Sequence, residues 1–365
     1  MLREDLRLAF SGLRCDVAAA LTDIFGSSSQ IYKLSKDDIL SQIELNARTL
    51  NKIMVPPDNE KIEREMEFIE KYKIRTFTYG TDSYPPSLAD CADPPILLYA
   101  KGNIDFLSDT DKWVAFVGTR KCTSYGIHST EKLIEQIAQR HPQAVIVSGL
   151  AYGIDSYAHR AALRNNLRTV AVLAHGLDMI YPSDHRDLAK QIIESGGALI
   201  TEFPSQSIIT KYNFVQRNRI VAGICSATIL IESPDKGGSM ITADLADGYN
   251  REVFAVPGRI DDKSFSGNLR LIRNSKANII TSVEDIEEVM KWKSQSVVRD
   301  KSYTSFILNE YEQEIYDLFE DTNEISADQI IDESTLPTSK VMTLLTTLEC
   351  KGLIRSVKGK LYAKK

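Results

Sequence analysis

Apolar residues in the first part of the chain recur at helical spacing, in one run from Leu6 to Leu13 and a second from Val17 to Ile24. Ser35 stands where a helix cap belongs, and a charged amphipathic segment follows the break at Val55-Pro56-Pro57. This pattern predicts a small helical domain over residues 1–72. We expect a SAM or helix-hairpin-helix-like domain, which serves either as a DNA module or as an interaction domain.

Beyond residue 72 the pattern changes, because short apolar runs alternate with helical stretches such as Ser129–Arg140 and Asp155–Asn165. This alternation is typical of βαβ units around a buried, mostly parallel sheet. We therefore predict an α/β, Rossmann-like domain over residues 73–292, with helices on both faces of the sheet. The predicted strands are Trp113–Val117, Ala144–Val147, Thr169–Ala174, Ala198–Thr201, Ala227–Ile231, Glu252–Val256 and Ala277–Thr281.

A polar, unpatterned stretch at residues 293–305 is typical of a linker, and a third pattern follows it. Three helices are predicted in residues 306–365, at Glu310–Glu320, Ala327–Asp332 and Ser339–Cys350, and a hairpin is predicted around Lys358-Gly359. Ser326 and Gln329 have the spacing of a capping box, and Gly352 follows the last helix where a terminating glycine belongs. Helices followed by a hairpin predict a C-terminal winged-helix domain.

Composition narrows the class of protein. Of 365 residues 43% are hydrophobic, and the formal net charge is −6. The start of the chain is charged and no apolar run is long enough to span a membrane, so we expect a cytoplasmic protein with no membrane association. The five cysteines and five histidines are scattered, which favours neither a disulfide framework nor a metal site, and no cofactor is expected. Residues 340–365 hold seven lysine or arginine residues against one glutamate, so positive charge is concentrated there despite the acidic total.

Glycine-bearing loops follow three of the predicted strands. They are Gly118–Gly126, Ser148–Asp155 and Glu232–Ser239. In an open α/β sheet, ligands bind beyond the carboxyl ends of the strands. Glycines allow close approach of the backbone, and helix N-termini favour phosphate. With Arg120, which offers charge-assisted contact, these loops predict a polyanion site.

A further helix, within Asn213–Gly223, carries Arg217 and Arg219 on either side of Asn218. Its other residues are largely apolar, so the helix is expected to be buried with this arginine pair facing the sheet edge. Neither a dinucleotide fingerprint nor a P-loop is present. The ligand is therefore not predicted to be a nucleotide held in one of those two ways.

Taken together and in order, these motifs resemble the DprA/Smf family of DNA-processing proteins. The resemblance spans roughly residues 73–292 and includes the segments RNRIVAG and ESPDKGGSMITA. The matching segments are Gly118–Gly126, Ser148–Leu163, His175–Pro182, Glu202–Pro204, Phe214–Gly223, Glu232–Ala243 and Val253–Gly258.

The resemblance implies a homodimeric protein that binds single-stranded DNA, protects incoming DNA during natural transformation and helps to load the RecA recombinase. It implies that Arg120 contacts phosphate, with a weaker expectation for Arg186, which follows Tyr181-Pro182. The full set of expected DNA-binding residues is Gly118, Thr119, Arg120, Ser124, Ser148, Gly149, Arg186, Arg217, Asn218, Arg219, Lys236, Gly237, Gly238 and Ser239.

The chain departs from the family pattern at two places. His185 stands where the family usually has asparagine. Near Gly267 the asparagine is shifted by one position to Asn268, and Leu269 takes its usual place. The contribution of this second loop to binding is therefore in question.

Two other functions stay open at this point. A phosphoribohydrolase-like enzyme has similar loops, but the glutamate of its motif is missing here and Asp244 lies one position further along. A winged-helix transcription factor usually reads bases with Arg, Asn or Gln, which Ser339–Cys350 lacks. A non-enzymatic single-strand binder is favoured. Single-strand binders also stack bases on aromatic rings, and the candidates are Tyr125, Tyr152, Tyr181, Phe214 and Phe265.

Overall fold

The computed structural model describes residues 2–55, 57–105, 112–293, 308–319, 325–351, 353–357 and 361–364. The chain divides into two compact units, residues 1–295 and residues 296–365. Except for Lys293, the predicted linker lies outside the described residues, as do Gly352 and the predicted hairpin turn at Lys358-Gly359.

Within the described residues, the larger unit contains a nine-stranded sheet. In space its strands follow the order β1-β2-β6-β5-β4-β3-β7-β8-β9, in which β1–β2 and β2–β6 are antiparallel and the remaining pairs parallel. This arrangement confirms the predicted mostly parallel sheet. In chain order the strands are β1 (Arg75–Thr78), β2 (Leu97–Gly102), β3 (Trp113–Val117), β4 (Val145–Ser148), β5 (Arg168–Val172), β6 (Ala198–Thr201), β7 (Ala227–Leu230), β8 (Glu252–Ala255) and β9 (Asn278–Ile279).

The central strand β3 is apolar and buried at every position because both faces of the sheet are covered. In β3, Val114 and Phe116 belong to one hydrophobic cluster, while Trp113, Ala115 and Val117 belong to another. A fully buried valine or phenylalanine side chain contributes about 1.5–3 kcal/mol to the stability of the fold, relative to leaving it exposed. The continuous apolar runs in the sequence therefore reflect a sheet placed between two helical layers.

Fourteen α-helices lie within the described part of this unit. The six before β1 confirm the predicted helical start of the chain, and Ser35 forms a capping box with Asp38. The helices are α1 (Leu2–Ala9), α2 (Cys15–Phe25), α3 (Ser28–Ile31), α4 (Lys36–Leu40), α5 (Ala47–Met54), α6 (Asn59–Lys71), α7 (Pro86–Ala89), α8 (Ser124–Arg140), α9 (Ile154–Arg164), α10 (Arg186–Glu194), α11 (Lys211–Ile224), α12 (Gly238–Gly248), α13 (Ser266–Arg273) and α14 (Val283–Met290).

The N-terminal helices pack directly on the antiparallel edge of the sheet. Leu6 and Ile62 share a hydrophobic cluster with Tyr99 of β2. The Thr78 hydroxyl donates to the Asp5 carboxylate at 3.0 Å. Although the sequence placed a domain boundary at residue 72, these helices and the sheet form one compact unit.

The smaller unit has the elements of the winged helix predicted from sequence. Its described residues form three helices and a sheet of order β10-β12-β11, and Ser326 and Gln329 form the expected capping box. The elements are α15 (Glu310–Asp317), β10 (Ile325–Ser326), α16 (Ala327–Glu333), α17 (Thr338–Cys350), β11 (Ile354–Val357) and β12 (Leu361–Lys364). No helix in the described parts of either unit is long and apolar enough to cross a membrane.

Candidate functional site

A cavity of about 630 Å³ opens at the point in the sheet where successive strands stop being added on one side of β3 and continue on its other side. From β3 the chain builds β4, β5 and β6 outward on one side, then returns to place β7 against the other side of β3. The loops that follow β3, β4 and β7 contribute to the cavity lining. Open α/β sheets bind ligands at such a topological switch point, so position alone makes this cavity the candidate site.

Glu232, two residues after the end of β7, fixes the loop that follows β3. The Glu232 carboxylate accepts hydrogen bonds from the Thr123 backbone N–H at 2.9 Å and the Thr123 hydroxyl at 3.0 Å. Thr123 in turn caps α8, because its hydroxyl oxygen accepts the Gly126 N–H at 3.2 Å. The Thr119 N–H donates to the Glu232 carbonyl at 2.7 Å. Two loops distant in sequence are thereby held as one rim of the cavity.

Arg217 supports the opposite rim from below. Its side chain is almost completely buried, and its guanidinium donates to the carbonyl oxygens of Gly149, at 2.6 Å, and Val172. A Cβ at position 149 would lie 2.3 Å from the Arg217 Nη2 atom, so only glycine allows this approach. Burial lowers the pKa of Arg217 to about 10, while the nearby Asp155 carboxylate opposes the shift. The guanidinium therefore stays charged at neutral pH.

Asp155 is the one carboxylate among the described residues that line the cavity. It accepts hydrogen bonds from the backbone N–H groups of Gly149, at 3.1 Å, and Ala151, at 3.3 Å. Burial raises the pKa of Asp155, and the neighbouring Arg217 charge opposes this. Its Oδ2 atom accepts both of these hydrogen bonds from the loop after β4, which gives Asp155 a structural task.

Cationic and aromatic side chains meet at the mouth of the cavity. Arg120 and Lys211 are exposed cations of the lining. The Arg120 guanidinium lies 5.3 Å from the centroid of the Phe214 ring, within cation–π range. Tyr181, 45% exposed, packs edge-to-face on Phe214 at 5.8 Å. This combination suits a ligand that has both phosphates and flat rings.

The structure brings most of the residues expected from sequence to this cavity. Tyr181 and Phe214, two of the five predicted stacking residues, also line it. Expected site residues in the lining are Gly118, Thr119, Arg120, Gly149, Arg217, Asn218, Gly237, Gly238 and Ser239. Expected site residues outside the lining are Ser124, Ser148, Arg186, Arg219 and Lys236.

The expectation that Arg217 and Arg219 face the same edge was wrong. Residues two apart on an α-helix point in nearly opposite directions. Arg219 is buried on the other side of α11, where it pairs with the carboxylate of Glu202 and donates to the Asp93 carbonyl. It therefore joins α11 to neighbouring segments and does not line the cavity.

Ser148 also has a structural role. It is fully buried, and its hydroxyl donates to the Phe116 carbonyl at 2.7 Å, which joins β4 to β3. Its side chain therefore does not face a ligand. Ser124, Arg186 and Lys236 are exposed but lie outside the cavity lining.

Lys211 is a lining cation that sequence analysis missed. It occupies the first position of α11, three residues before Phe214, so both side chains lie on one face of the helix. The Lys-x-x-Phe spacing at a helix start was the available signal. It was obscured by the more conspicuous arginines that follow.

The two departures from the family pattern have structural explanations. Asn268 is fully buried; its amide donates to the carbonyls of Leu230, Ile231 and Val256, and its oxygen accepts the Ser233 N–H at 2.9 Å. His185 is buried, with Nδ1 at 2.8 Å from the Leu150 carbonyl. Both side chains support loops from beneath the site.

The fold and the site together define a Rossmann-like protein with a cation-lined cavity at its switch point and a winged helix in its second unit. The sequence model described as DNA recombination-mediator protein A matches residues 75–291, and that of the DprA winged helix domain matches residues 304–360. The chain therefore belongs to the DprA/Smf family of DNA-processing proteins, as the motifs predicted.

Individual relatives agree with this assignment. The DNA processing protein DprA of Streptococcus pneumoniae is 39% identical over 217 residues, which are 60% of this chain and 74% of that protein. Protein Smf of Escherichia coli is 32% identical over 330 residues, 88% of this chain and 85% of that protein.

Two solved structures extend the comparison to the fold. The X-ray structure of DprA from Streptococcus pneumoniae superposes with a TM-score of 0.67 at 32% identity, over 80% of this chain and 99% of that one. The structure of DNA processing protein A from Helicobacter pylori, which describes a single-stranded DNA binding mode, superposes with a TM-score of 0.53 at 30% identity. The superposition covers 60% of this chain and 96% of that one.

Proposed function

We propose that the cavity at the switch point binds the backbone of single-stranded DNA. The observation that carries this proposal is the convergence of three cations, Arg120, Lys211 and Arg217, with the rings of Tyr181 and Phe214 in one cavity. Basic grooves combined with aromatic platforms are the usual means of binding single strands. The Helicobacter pylori relative, which binds single-stranded DNA, supports the same ligand.

Binding through these groups is expected to be independent of sequence. Phosphate contacts fix position without reporting base identity, and every base has a face that stacks on an aromatic ring. Arg120 and Lys211 supply the exposed charge, whereas Arg217 holds the rim in place. Mixed-sequence single strands should therefore bind more tightly than duplexes of equal length.

The test is replacement of Arg120 by alanine. Loss of one phosphate contact should reduce the slope of log affinity against log salt by about 0.7, with weaker binding of a mixed-sequence single strand in fluorescence anisotropy. Arg160→Ala is the matched control, because Arg160 is an exposed arginine of α9 outside the cavity lining. If the Arg120 and Arg160 variants both bind like the parent protein, Arg120 is not part of the site.

We propose further that the protein breaks no covalent bond in its ligand. Asp244, the carboxylate nearest to the enzyme motif in sequence, lies outside the cavity lining and pairs with Lys276 at 3.3 Å. Asp155 lines the cavity but is engaged by backbone amides. Chromatography after incubation with nucleoside monophosphates should show no free base. Free base that forms with the parent protein and is lost in Asp244→Asn would reverse this conclusion.

The wider role follows from the family. We propose that the protein is a cytoplasmic homodimer that protects incoming single strands during natural transformation and assists loading of RecA. The family description as a recombination mediator supports this role. Sedimentation analysis would test the dimer. RecA filament formation on single strands, followed with and without this protein, would test loading, and an unchanged rate of filament formation would contradict it.

A further inference from the structure

A second cavity, of about 350 Å³, lies between α6, β2 and the loops that follow β5 and β6. The proposed function makes no use of it. Its lining contains two cations and two aromatic rings, as the first cavity's mouth does. The lining residues are Arg64, Phe68, Tyr72, Lys101, Leu177, Asp178, Ser205 and Gln206.

The aromatic residues form a platform with cations at its edge. The rings of Phe68 and Tyr72 are 4.9 Å apart at an interplanar angle of 48°. The Lys101 Nζ atom lies 5.8 Å from the centroid of the Tyr72 ring. Tyr72 is 47% exposed, so the ring is accessible to a ligand. Positions 64, 68 and 72 are spaced by four, which puts Arg64 on the same side of α6.

Nearby carboxylates are engaged in holding the loop after β6. Glu65 is buried and accepts hydrogen bonds from the Ser205 N–H at 3.0 and 3.1 Å and from its hydroxyl. Asp178, the lining carboxylate, accepts the Gln206 N–H at 3.1 Å. The other glutamates of α6 are not among the lining residues. The lining itself therefore holds two cations, Arg64 and Lys101, against one carboxylate, Asp178.

The two cavities share the same two loops. In the loop after β5, Asp178 lines the second cavity and Tyr181 lines the first. In the loop after β6, Gln206 lines the second cavity and Lys211 begins the helix that lines the first. Three residues of chain span at most about 11 Å, so a strand of a few nucleotides is long enough to reach from one lining to the other.

We propose that the second cavity is an extension subsite for the same single strand. A base stacks on Tyr72 and Phe68, while Lys101 and Arg64 contact the adjoining phosphates. The ligand is a single-stranded nucleic acid that leaves the first cavity across the loops after β5 and β6. This inference rests on the proposed function, but it makes a separate prediction about the length of strand that the protein engages.

The experiment compares short and long oligothymidylates in fluorescence anisotropy with the full-length protein. Lengths of roughly 4 and roughly 16 nucleotides bracket the site sizes known for single-strand binders. The variants are Lys101→Ala and Tyr72→Ala. Lys61→Ala is the matched control, since Lys61 lies on α6 outside the cavity lining and its Nζ is 4.8 Å from the Phe10 ring. Circular dichroism checks that each variant is folded.

Loss of the stacking contact in Tyr72→Ala should weaken binding of the long strand about fivefold or more, and Lys101→Ala should lower the salt slope by about 0.7. Neither variant should change binding of the short strand, and Tyr72→Phe should restore binding of the long one. Long-strand binding unaffected by both variants, or affected equally by Lys61→Ala, would overturn the subsite. Equal weakening with both lengths would also overturn it. If Arg120→Ala weakens both lengths in that case, the proposed function stands without the extension.

Discussion

Glu202 and Arg219 form an ion pair that is largely withheld from solvent, and this has a consequence for stability. Side-chain exposure is 9% for Glu202 and 7% for Arg219. Burial raises the pKa of Glu202 from its ordinary value of 4.5 to about 7, although Arg219 opposes the shift. The folded chain therefore holds the Glu202 proton more firmly than the unfolded chain does.

It follows that protonation of Glu202 favours the folded state. Its contribution is complete below pH 4.5 and is lost as the pH rises through about 7. Relative to Glu202→Gln, the parent protein should lose on the order of 2 kcal/mol of unfolding free energy between about pH 5 and about pH 8. Urea unfolding of both proteins at each pH measures this difference.

The matched control for that measurement is Glu194→Gln, because Glu194 is 61% exposed and pairs with Lys190 at the surface of α10. Its replacement should leave the pH dependence unchanged. A constant difference between the parent protein and Glu202→Gln at both pH values would contradict a raised pKa for Glu202.

Lys211 gives a second prediction at this scale. If it contacts phosphate beside Arg120, Lys211→Ala should weaken single-strand binding and lower the salt slope by about 0.7. The control is Lys132→Ala, an exposed lysine of α8 away from the cavity lining. In an Arg120→Ala, Lys211→Ala double variant, the reduction in salt slope should be about twice the reduction seen in either single variant. A double variant no weaker than Arg120→Ala alone would exclude Lys211 from the contact.

At the level of single residues, the sequence identified the charged residues and glycines of the site but not the direction in which each side chain points. Arg120 and Gly149 were placed at the cavity because they follow strands, and strand ends are recognisable from the apolar runs before them. Arg219 was wrongly placed there, because the helical phase that turns it toward Glu202 depends on which face of α11 packs on the sheet. Lys211 was missed because the sequence did not show that the first turn of α11 faces the cavity.

Asn268 shows how an element depends on one polar side chain. It lies in the first turn of α13, and its amide joins that helix to the carboxyl ends of β7 and β8. Asn268→Ala would leave the buried Ser233 N–H without its acceptor. Buried groups without partners cost about 1–3 kcal/mol each, so we expect a loss of about 2–3 kcal/mol in unfolding free energy.

Thermal and urea unfolding of a protein shortened to residues 1–295 would measure this loss without the second unit. Asn274→Ala is the control, since Asn274 is exposed at the end of the same helix. A loss no larger than that of Asn274→Ala would mean that water replaces the Asn268 hydrogen bonds.

Several elements were predicted from their apolar pattern, although β2, the longest strand of the described sheet, was not among the predicted strands. The predicted bounds of β3 and β6 are identical to the observed ones, because each is an apolar run buried on both faces. β1 was missed because only one of its four residues, Phe77, is apolar and buried, which leaves a weak apolar signal. β10 has two residues and exists through its pairing with β12, a contact distant in sequence. Short pairings of this kind leave no periodic signal.

For the molecule as a whole, the N-terminal helices matter more to the sheet than the sequence suggested. The predicted boundary at residue 72 implied that residues 73–292 fold alone. In the structure, however, Tyr99 of β2 is 2% exposed and packs with Leu6 and Ile62. Removing residues 1–72 would expose this cluster and leave the Glu202 and Arg219 region without Cys15, which lies 3.5 Å from Arg219.

We therefore expect residues 73–295 to be less stable than residues 1–295 and more prone to aggregate, with the difference visible in urea midpoint and in size-exclusion chromatography. Both proteins contain every residue that lines the first cavity. A protein of residues 73–295 as stable and monodisperse as residues 1–295 would show that the sheet does not depend on the N-terminal helices for its stability.

The last prediction concerns the charge at the end of the chain. The cations and rings of the first cavity all lie within residues 1–295, whereas residues 340–365 carry seven basic residues against one glutamate. A protein of residues 1–295 should therefore bind single strands as tightly as the full chain at high salt. At low salt, where the Debye length exceeds about 10 Å, the full chain should bind more tightly because the local basic cluster of residues 340–365 attracts phosphate, even though residues 296–365 as a whole hold twelve acidic residues against nine basic ones. Anisotropy titrations of both proteins across salt concentrations, with residues 296–365 alone as the third sample, separate the contributions. If residues 1–295 fail to bind at every salt concentration while residues 296–365 bind alone, the loops around the cavity are structural turns and the winged helix is the DNA-binding unit.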